Sequence, residues 1–465
     1  MIEFVGAAFA FVVYLATMPP SLTWAHYGAD GGDLVTAIAR GALPHPPGFP
    51  AYVLAGDWFI RIPFGEPAWC LNLLSAMFAA GAVGLTIAAA RRLGVSAIAT
   101  SVAGLMLAFA PLFWSQAIIV EVYAFAAFGA SLVMYLALRG APAWLVGFIL
   151  GIGMGAHPIL FFCAPIVLVC RCEERSLRRS NPQPPSWRLL RRFTARNDIC
   201  IAFLLAWLVM YGVVLVVPNR AMSPWGDLTT IGGWWSFVSG QIYRGYVFTL
   251  PLAELPQRLI AFAATLIRQF TPLGAIIAGV GAWRLWREQR GVAFASLAAF
   301  ALVSIFAIGY NTADSIVYLV IALPIAGLWL ALGLEPLTFH FSRFTSHATR
   351  HASRVILLLL PLVSLALYWN EMNLHDDRAA IVWADQILSA APPNAILVTE
   401  RDAHTFTLWY ARDVLQRRTD VIVLDRDLWQ YESYRKMMAA QFGFADDLVF
   451  EFEKKDGRSI VEVPR

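Results

Sequence analysis

Residues 30–50 read Asp30-Gly31-Gly32-Asp33, then Leu34 to Arg40, then Gly41-Ala42-Leu43-Pro44-His45-Pro46-Pro47-Gly48-Phe49-Pro50. Two carboxylates and a histidine share a glycine- and proline-rich stretch directly after the first hydrophobic segment of the chain. Ionisable groups at a membrane are costly to hold there and mark function by default. A carboxylate in this position can take a proton from a hydroxyl, and a histidine can meet a phosphate. The structural alternative makes Asp30 and Asp33 the N-cap and first-turn acid of a surface helix over 33–40. It makes His45, held between Pro44 and Pro46, a rigid loop corner.

Other polar groups fall near the same predicted membrane face. Trp114, Gln116, Glu121 and Tyr123 lie between two hydrophobic segments, and His157 ends another. A long loop over 218–268 carries Trp225, Trp234, Trp235, Tyr243, Arg244, Tyr246 and Arg268, and Asp314 starts a late segment. Each has a bland account: a snorkelling acid for Glu121, polar helix packing for His157, and interfacial anchors for Arg244 and Arg268. Trp234-Trp235 fits the aromatic belt at a bilayer edge. Together, though, carboxylates, histidines, arginines and aromatics suit one reaction. A sugar linked to a lipid phosphate lies at the interface. Arg or His compensates the charge growing on the leaving phosphate, and aromatic faces hold the sugar. A carboxylate deprotonates the acceptor hydroxyl as it attacks the anomeric carbon, through an oxocarbenium-like transition state. Direct displacement with one base inverts the anomeric configuration.

The elements that must position these groups are membrane helices. The chain has 465 residues, of which 59% are hydrophobic and 14% charged. A mean hydropathy of +0.62 excludes an ordinary soluble domain. A crossing helix needs about 20 apolar residues. Such segments occur near 3–19, 67–90, 95–113, 120–138, 142–156, 157–170, 199–217, 270–286, 291–309, 315–334 and 355–369. About eleven spans with a cytoplasmic N-terminus put the arginines at 91–92, 171–196, 284–290 and 343–354 on one side, as the positive-inside rule expects. Loop 20–65 and everything after about 370 then face the non-cytoplasmic side. The first segment lacks a basic n-region and a cleavage site, which marks it as a retained helix. Cys70, Cys163, Cys170, Cys172 and Cys200 form no CxxC pair, so neither a zinc site nor a disulfide framework is supported.

Residues 371–465 change character. A helical pattern over 376–390 precedes an apolar run at 395–399. A helix over 402–416, a second run at 421–424 and a helix over 428–440 follow. This alternation predicts a small α/β domain beyond a transmembrane domain over 1–370. Glu400, Arg401, Asp402 and His404 follow the first strand, where α/β sites tend to lie, although helix capping by Asp402 explains them equally.

Asp30-x-Gly32-Asp33-Leu34 followed by His45-Pro46-Pro47-Gly48-Phe49-Pro50 resembles the signature of the transmembrane protein O-mannosyltransferase-like family, glycosyltransferases of the GT-C fold. Trp114 with Glu121-Val122-Tyr123-Ala124, Gly153-x-Gly155-x-His157, and Asp314 with Tyr318 resemble further family elements in order. So do Asp402, Thr405-Phe406, Leu408, Tyr410 and Arg418-Thr419-Asp420-Val421 in the tail. Position 33 carries Asp where the family pattern has Glu, and position 419 carries Thr where it has Pro. The resemblance implies a polytopic α-helical GT-C membrane enzyme that moves a sugar from a polyprenyl-phosphate donor to an acceptor hydroxyl, foremost a protein Ser or Thr. It implies Asp30 as general base, with Asp33 orienting the acceptor or sharing the proton. His45, Glu121, Tyr123, His157, Arg244, Arg268 and Asp314 would bind substrate, with no metal or other cofactor. The expected setting is a bacterial inner membrane, with lipid, donor and an acceptor protein or glycan as partners and no nucleic acid. Two other classes stay open: a lipid or solute transporter (flippase), and a non-catalytic glycan-assembly subunit.

Overall fold

The structure, a computed structural model, describes residues 1–167, 185–219, 223–343, 347–443, 454–455 and 458–463. Cys170, Cys172 and the arginines at 171, 175, 178 and 179 lie outside them. The chain is a helical bundle. Four helices among the described residues are long and apolar enough to cross a membrane, Pro67–Arg92, Asp198–Leu215, Leu255–Glu288 and Arg290–Gly309, and up to six if each bent pair counts as one span. Shorter apolar helices, including Ile2–Thr17, Tyr123–Leu138, Ala143–Gly153 and Leu357–Met372, occupy other predicted span positions.

Several of the expected spans are bent, and the bends have a physical cause in proline and polar breaks. The segment over 95–113 bends by 66° between Ala97–Ala108 and Pro111–Ala117. Pro111 begins the second piece, where proline's fixed φ suits a helix start and its missing N–H costs nothing. The late segment bends by 52° between Ser315–Ile321 and Leu323–Thr338. Leu255–Glu288 kinks at Phe270-Thr271, just before Pro272. The bundle core is rich in alanine and centres on buried Tyr14, Phe109, Phe113 and Trp114. Small side chains of this kind let helix backbones approach where no hydrophobic effect drives them together.

Between Ile2–Thr17 and Pro67–Arg92, loop one forms a short turn over Ala25–Asp30 and two helices, Gly31–Ala39 and Pro50–Phe59. The helix expected over 33–40 thus starts two residues earlier. The tail after Met372 is α/β. Strand β1 (Ile396–Thr399) lies between β2 (Ile422–Asp425) and β4 (Arg458–Glu462), parallel to both, and the two-residue β3 (Lys454–Lys455) pairs antiparallel with β4. Ile396 pairs with Ile422 and with Ile460. Every residue of β1 and β2 is buried because apolar side chains cover both sheet faces.

Three details differ from the sequence expectation. The helix from Asp402 stays α-helical only to Trp409 and continues as a π-turn over Tyr410–Val414. The helix expected over 428–440 is a 3₁₀ turn, Leu428–Gln430, followed by Glu432–Phe442. Strand β4 was not expected at all: Arg458-Ser459-Ile460-Val461-Glu462 carries only a two-residue apolar core. One hydrophobic cluster joins the bundle's outer end to the tail. It holds Leu34, Val35 and Ile38 of loop one, Leu71 and Leu74 of the second span, Val120 and Val122, and Ala380, Ile381 and Tyr410 of the tail. At about 1.5–3 kcal/mol per fully buried large side chain, this shared core holds the tail against loop one.

Candidate active site

Loop one is tied down before its acids appear. The Asn72 amide donates to the carbonyls of Pro19 (3.0 Å) and Ser21 (3.1 Å). The Trp114 indole donates to Thr17 Oγ1 (3.0 Å), and the Gln116 amide donates to the His26 carbonyl (2.8 Å). The chain then takes left-handed backbone at His26 (φ 59) and Tyr27 (φ 66). Non-glycine residues there cost about 1–3 kcal/mol each, the kind of strain that surrounding contacts must hold and that gathers at working sites. The turn delivers Asp30 to the start of Gly31–Ala39. Its side chain makes no capping hydrogen bond, so the capping account does not explain it.

Asp33, one turn on, is buried. A single carboxylate oxygen accepts both the His45 backbone N–H (2.7 Å) and the His45 Nδ1 proton (2.8 Å). This fixes the ring, and the other nitrogen, Nε2, lies 3.7 Å from Asp30 Oδ2. That separation is an ion-pair contact and too long for a hydrogen bond. Asp30 keeps 37% of its side chain exposed and has lone pairs to spare. Burial pushes the Asp30 carboxyl up; His45 opposes this and Asp33 and Asp314 reinforce it. For His45, burial works against the charged ring, but the Asp30 charge and the Asp33 hydrogen bond outweigh it and raise the ring to about 9. At neutral pH an imidazolium therefore stands between Asp33, hydrogen-bonded to it, and the more open Asp30. Gly48 (φ 83) closes the loop where a Cβ would sit 2.6 Å from the Phe237 ring, so neither the turn nor the packing admits a side chain.

Behind this trio lies an aromatic wall. Phe49 stands 5.2 Å from His45 and stacks on His157 at 5.6 Å, which in turn faces Tyr123 (5.4 Å) and Tyr318 (5.6 Å). His157 Nδ1 accepts the Ile159 N–H (3.2 Å), so a neutral His157 carries its proton on Nε2. Glu121 is buried, with one carboxylate oxygen on the Val122 N–H (3.2 Å), and its charge reaches His45. Asp314 also belongs to the field of this site, since it raises Asp30. From the opposite loop, Tyr243 stands 6.5 Å from His45 and Trp225 6.2 Å. Burial raises the Tyr243 phenol, and Asp30, Asp33 and Asp402 raise it further.

The structure thus groups Asp30, Asp33, His45, Glu121, Tyr123, His157 and Asp314. The two arginines fall elsewhere. Arg244 is exposed on Gln241–Tyr246, next to Tyr243. Arg268 pairs with Glu371, lies 5.2 Å over Tyr368, and reaches His26 with its charge. The role expected of Asp33, orienting the acceptor, meets a residue whose hydrogen-bonding oxygen is occupied by His45.

Sequence reasoning passed over Arg258, which donates to the Thr312 carbonyl (3.0 Å) and Ser315 Oγ (2.8 Å) and so fixes the turn that carries Asp314. No local pattern distinguishes it from its neighbours. Phe49 sits inside the quoted motif, and only its left-handed backbone (φ 41) explains how its ring turns between two histidines. Among the described residues, no group of three or more His, Cys, Asp or Glu side chains could hold a metal ion.

The tail closes the open side. A Cβ on Gly32 would lie 2.4 Å from the Phe406 carbonyl oxygen, so Gly31–Ala39 and Asp402–Trp409 meet backbone against backbone. The Trp24 indole donates to Thr407 Oγ1 (2.9 Å) and the Ala403 carbonyl (3.2 Å). Its ring stands 5.2 Å from Trp383. The Ala68 N–H donates to the Tyr410 hydroxyl (3.4 Å), which itself donates to Glu66 (3.3 Å). Asp402 is pushed up to about 6, by burial first and then by the charges of Asp30 and Asp425.

These motifs coincide with family models. One described as the Protein O-mannosyl-transferase TMEM260 N-terminal domain matches residues 30–176, and one described as TMEM260-associated domain 2 matches residues 380–459. The Protein O-mannosyl-transferase TMEM260 of Mus musculus is 26% identical, over 93% of this chain and 64% of its own length. Its namesake from Dictyostelium discoideum is 19% identical, over 91% of this chain and 57% of its own. The chain therefore spans about six-tenths of the length of these curated relatives. Among solved structures, ArnT from Cupriavidus metallidurans bound to undecaprenyl phosphate has a TM-score of 0.55 at 16% identity, covering 91% of this chain and 90% of that one. At that identity the likeness establishes a common GT-C fold. In its motifs, in both domain models and in its fold, the chain is similar to the transmembrane protein O-mannosyltransferase-like family.

Proposed function

We propose that the chain is an inverting membrane glycosyltransferase that moves a sugar from a polyprenyl-phosphate donor to an acceptor hydroxyl, foremost a protein Ser or Thr. The observation that carries this reading is the unequal pair of carboxylates on loop one. One oxygen of Asp33 is occupied twice by His45, while Asp30 is more than a third exposed, makes no side-chain hydrogen bond and is backed by an imidazolium. Asp30 takes the proton of the acceptor hydroxyl as its oxygen attacks the anomeric carbon, and the carbon–phosphate oxygen bond breaks. Burial, which raises Asp30, makes it a better base than a solvated carboxylate, and the His45 charge opposes that rise.

The aromatic faces of Phe49, Tyr123 and Tyr318 and the neutral His157 suit the sugar. Arg244, exposed beside Tyr243, is the cation best placed to meet the leaving phosphate. No metal is invoked, and a chelator should leave the rate unchanged. Residues 1–370 bind donor and carry the chemistry, and 371–465 form a separate α/β domain on the same face. The arginine clusters of the sequence, read with the positive-inside rule, support a cytoplasmic N-terminus and a non-cytoplasmic site, in a bacterial inner membrane. The relatives named as protein O-mannosyl-transferases and the undecaprenyl-phosphate-bound fold relative support the donor and acceptor classes.

The test is reconstitution of the full chain in liposomes with polyprenyl-phosphate mannose and a Ser/Thr peptide, reading transferred sugar and its anomeric configuration. Transfer with inversion, lost in Asp30→Asn, is expected. Wild-type transfer by Asp30→Asn would overturn Asp30 as base, and a retained configuration would overturn direct displacement.

A further inference from the structure

We propose that Asp402 of the tail binds the acceptor: its carboxylate accepts a hydrogen bond from a backbone N–H or hydroxyl of an acceptor polypeptide and holds the reacting hydroxyl against Asp30. This rests on the glycosyl-transfer reading and extends it to a residue of the other domain.

The placement follows from how the tail docks. Phe406 lies over Gly32, two residues from Asp30, with no room for a Cβ between them. The Trp24 indole clamps Ala403 and Thr407, which brackets the start of the same tail helix. Asp402, the first residue of that helix, is therefore held at the Asp30 end of Gly31–Ala39. Trp225 bridges the two domains from the third side, 6.2 Å from His45 and 6.2 Å from Phe406. Tyr243, 6.5 Å from His45, feels Asp30, Asp33 and Asp402 together. Asp402 thus stands near enough to Asp30 for their charges to act on each other, and both side chains reach solvent.

The charges decide what enters from that side. Asp30, Asp33 and Asp402 repel a phosphate, so the anionic donor approaches from the aromatic wall. The group between Asp30 and Asp402 must offer hydrogen-bond donors to both. A Ser or Thr residue in a peptide does so, with its hydroxyl toward Asp30 and a main-chain N–H toward Asp402. Asp402 also lies on the soluble domain, which suits a polypeptide arriving from water better than a lipid hydroxyl arriving along the bundle.

The groups facing Asp402 are Asp30, Asp33 and His45 from loop one, Asp425 from β2, Tyr243 from the long loop, and its neighbour Arg401. Ionisation of Asp402 near pH 6 should appear as a rise in kcat/KM for the acceptor through that range. In the reconstituted full chain, Asp402→Asn should raise the peptide KM about tenfold or more. The donor KM should stay within about twofold, the melting temperature should not move, and the limb near pH 6 should flatten. Asp402→Glu should recover most of the peptide affinity.

An unchanged peptide KM and pH limb in Asp402→Asn, alongside an inactive Asp30→Asn, would overturn this inference and leave the glycosyl-transfer reading intact. Equal increases in donor and acceptor KM with a lowered melting temperature would show a merely structural Asp402 and would overturn it too. If Asp30→Asn transfers normally, the underlying reading is what fails.

Discussion

Loop one and the strand ends of the tail both hold clusters of carboxylates, and they use them differently. In the tail, Asp425 is buried and accepts from Thr405 Oγ1 (2.5 Å) and the Leu428 N–H (2.8 Å). Glu400 and Glu462 both pair with Arg426, and Asp420 holds the Arg418 guanidinium and the Asn394 N–H. In loop one, Asp33 is filled in the same manner by His45. Asp30 is not: its nearest cation stands 3.7 Å away and more than a third of its side chain is exposed. Buried polar groups are normally satisfied, and a satisfied carboxylate shapes a fold. A carboxylate held next to a charged partner and left short of hydrogen bonds has capacity for a ligand. That contrast, more than the number of acids, separates the two regions.

Exchanging one acid from each region tests the contrast most strongly. Asp30→Asn should cut transfer about 10²–10⁴-fold, the range of a general base, with unfolding almost unchanged. Asp425→Asn should do the reverse. It weakens or orphans the Thr405 and Leu428 donors in a buried site, which costs about 1–3 kcal/mol of tail stability. Transfer assays and thermal unfolding on both variants read the outcome. A strongly destabilised Asp30→Asn would erase the distinction.

Within loop one, His45 is the joint between the hydrogen-bonded and the more open acid. His45→Ala leaves Asp33 buried with no cation, and breaking a buried pair in this way costs about 3–5 kcal/mol. Because the folded His45 titrates near 9, above its free value near 6.5, its stabilising charge is fully present below about pH 6.5 and is lost as pH rises through about 9. Denaturant unfolding of the wild type should therefore weaken between about pH 7 and 10, and Asp33→Asn should blunt that dependence.

The seam between the regions offers a milder probe. Gly32→Ala places a methyl 2.4 Å from the Phe406 carbonyl and should cost about 1–3 kcal/mol as the helices separate. Limited proteolysis of the stretch between Met372 and Ala379 should then speed up. If Asp402 acts from the tail, the acceptor KM should rise with it.

The motif residues of loop one and the α/β alternation of the tail are legible because they rest on local signals: acids and prolines at fixed offsets, and apolar runs of strand length. What is not legible is long-range. Asp402 looks like a helix cap in the sequence and comes within reach of the Asp30 charge only because Phe406 rests on Gly32. Arg258 has no local signature, and its use depends on a turn at Thr312–Ser315 more than fifty residues away. Strand β4 is short, follows a charged stretch and is recruited by an existing edge of β1. The bends at Pro111 and before Leu323, which divide one apolar run into two helices, are not announced by the hydropathy of the run.

Arg268 gives the smallest and most discriminating test. By loop position it ranks with Arg244 as a phosphate ligand. In the structure it pairs with Glu371 and lies over Tyr368, with both members of the ion pair about half exposed. An exposed pair of this kind is worth roughly 0–1 kcal/mol. Arg268→Ala should therefore shift unfolding by less than about 1 kcal/mol and leave the donor KM within about twofold, whereas Arg244→Ala should raise the donor KM several-fold. A tenfold loss of donor affinity in Arg268→Ala would move the phosphate to the His26 side of the 25–30 turn. Asp30 would then face the donor across its own backbone, and the division between an aromatic donor wall and an acidic acceptor wall would have to be redrawn.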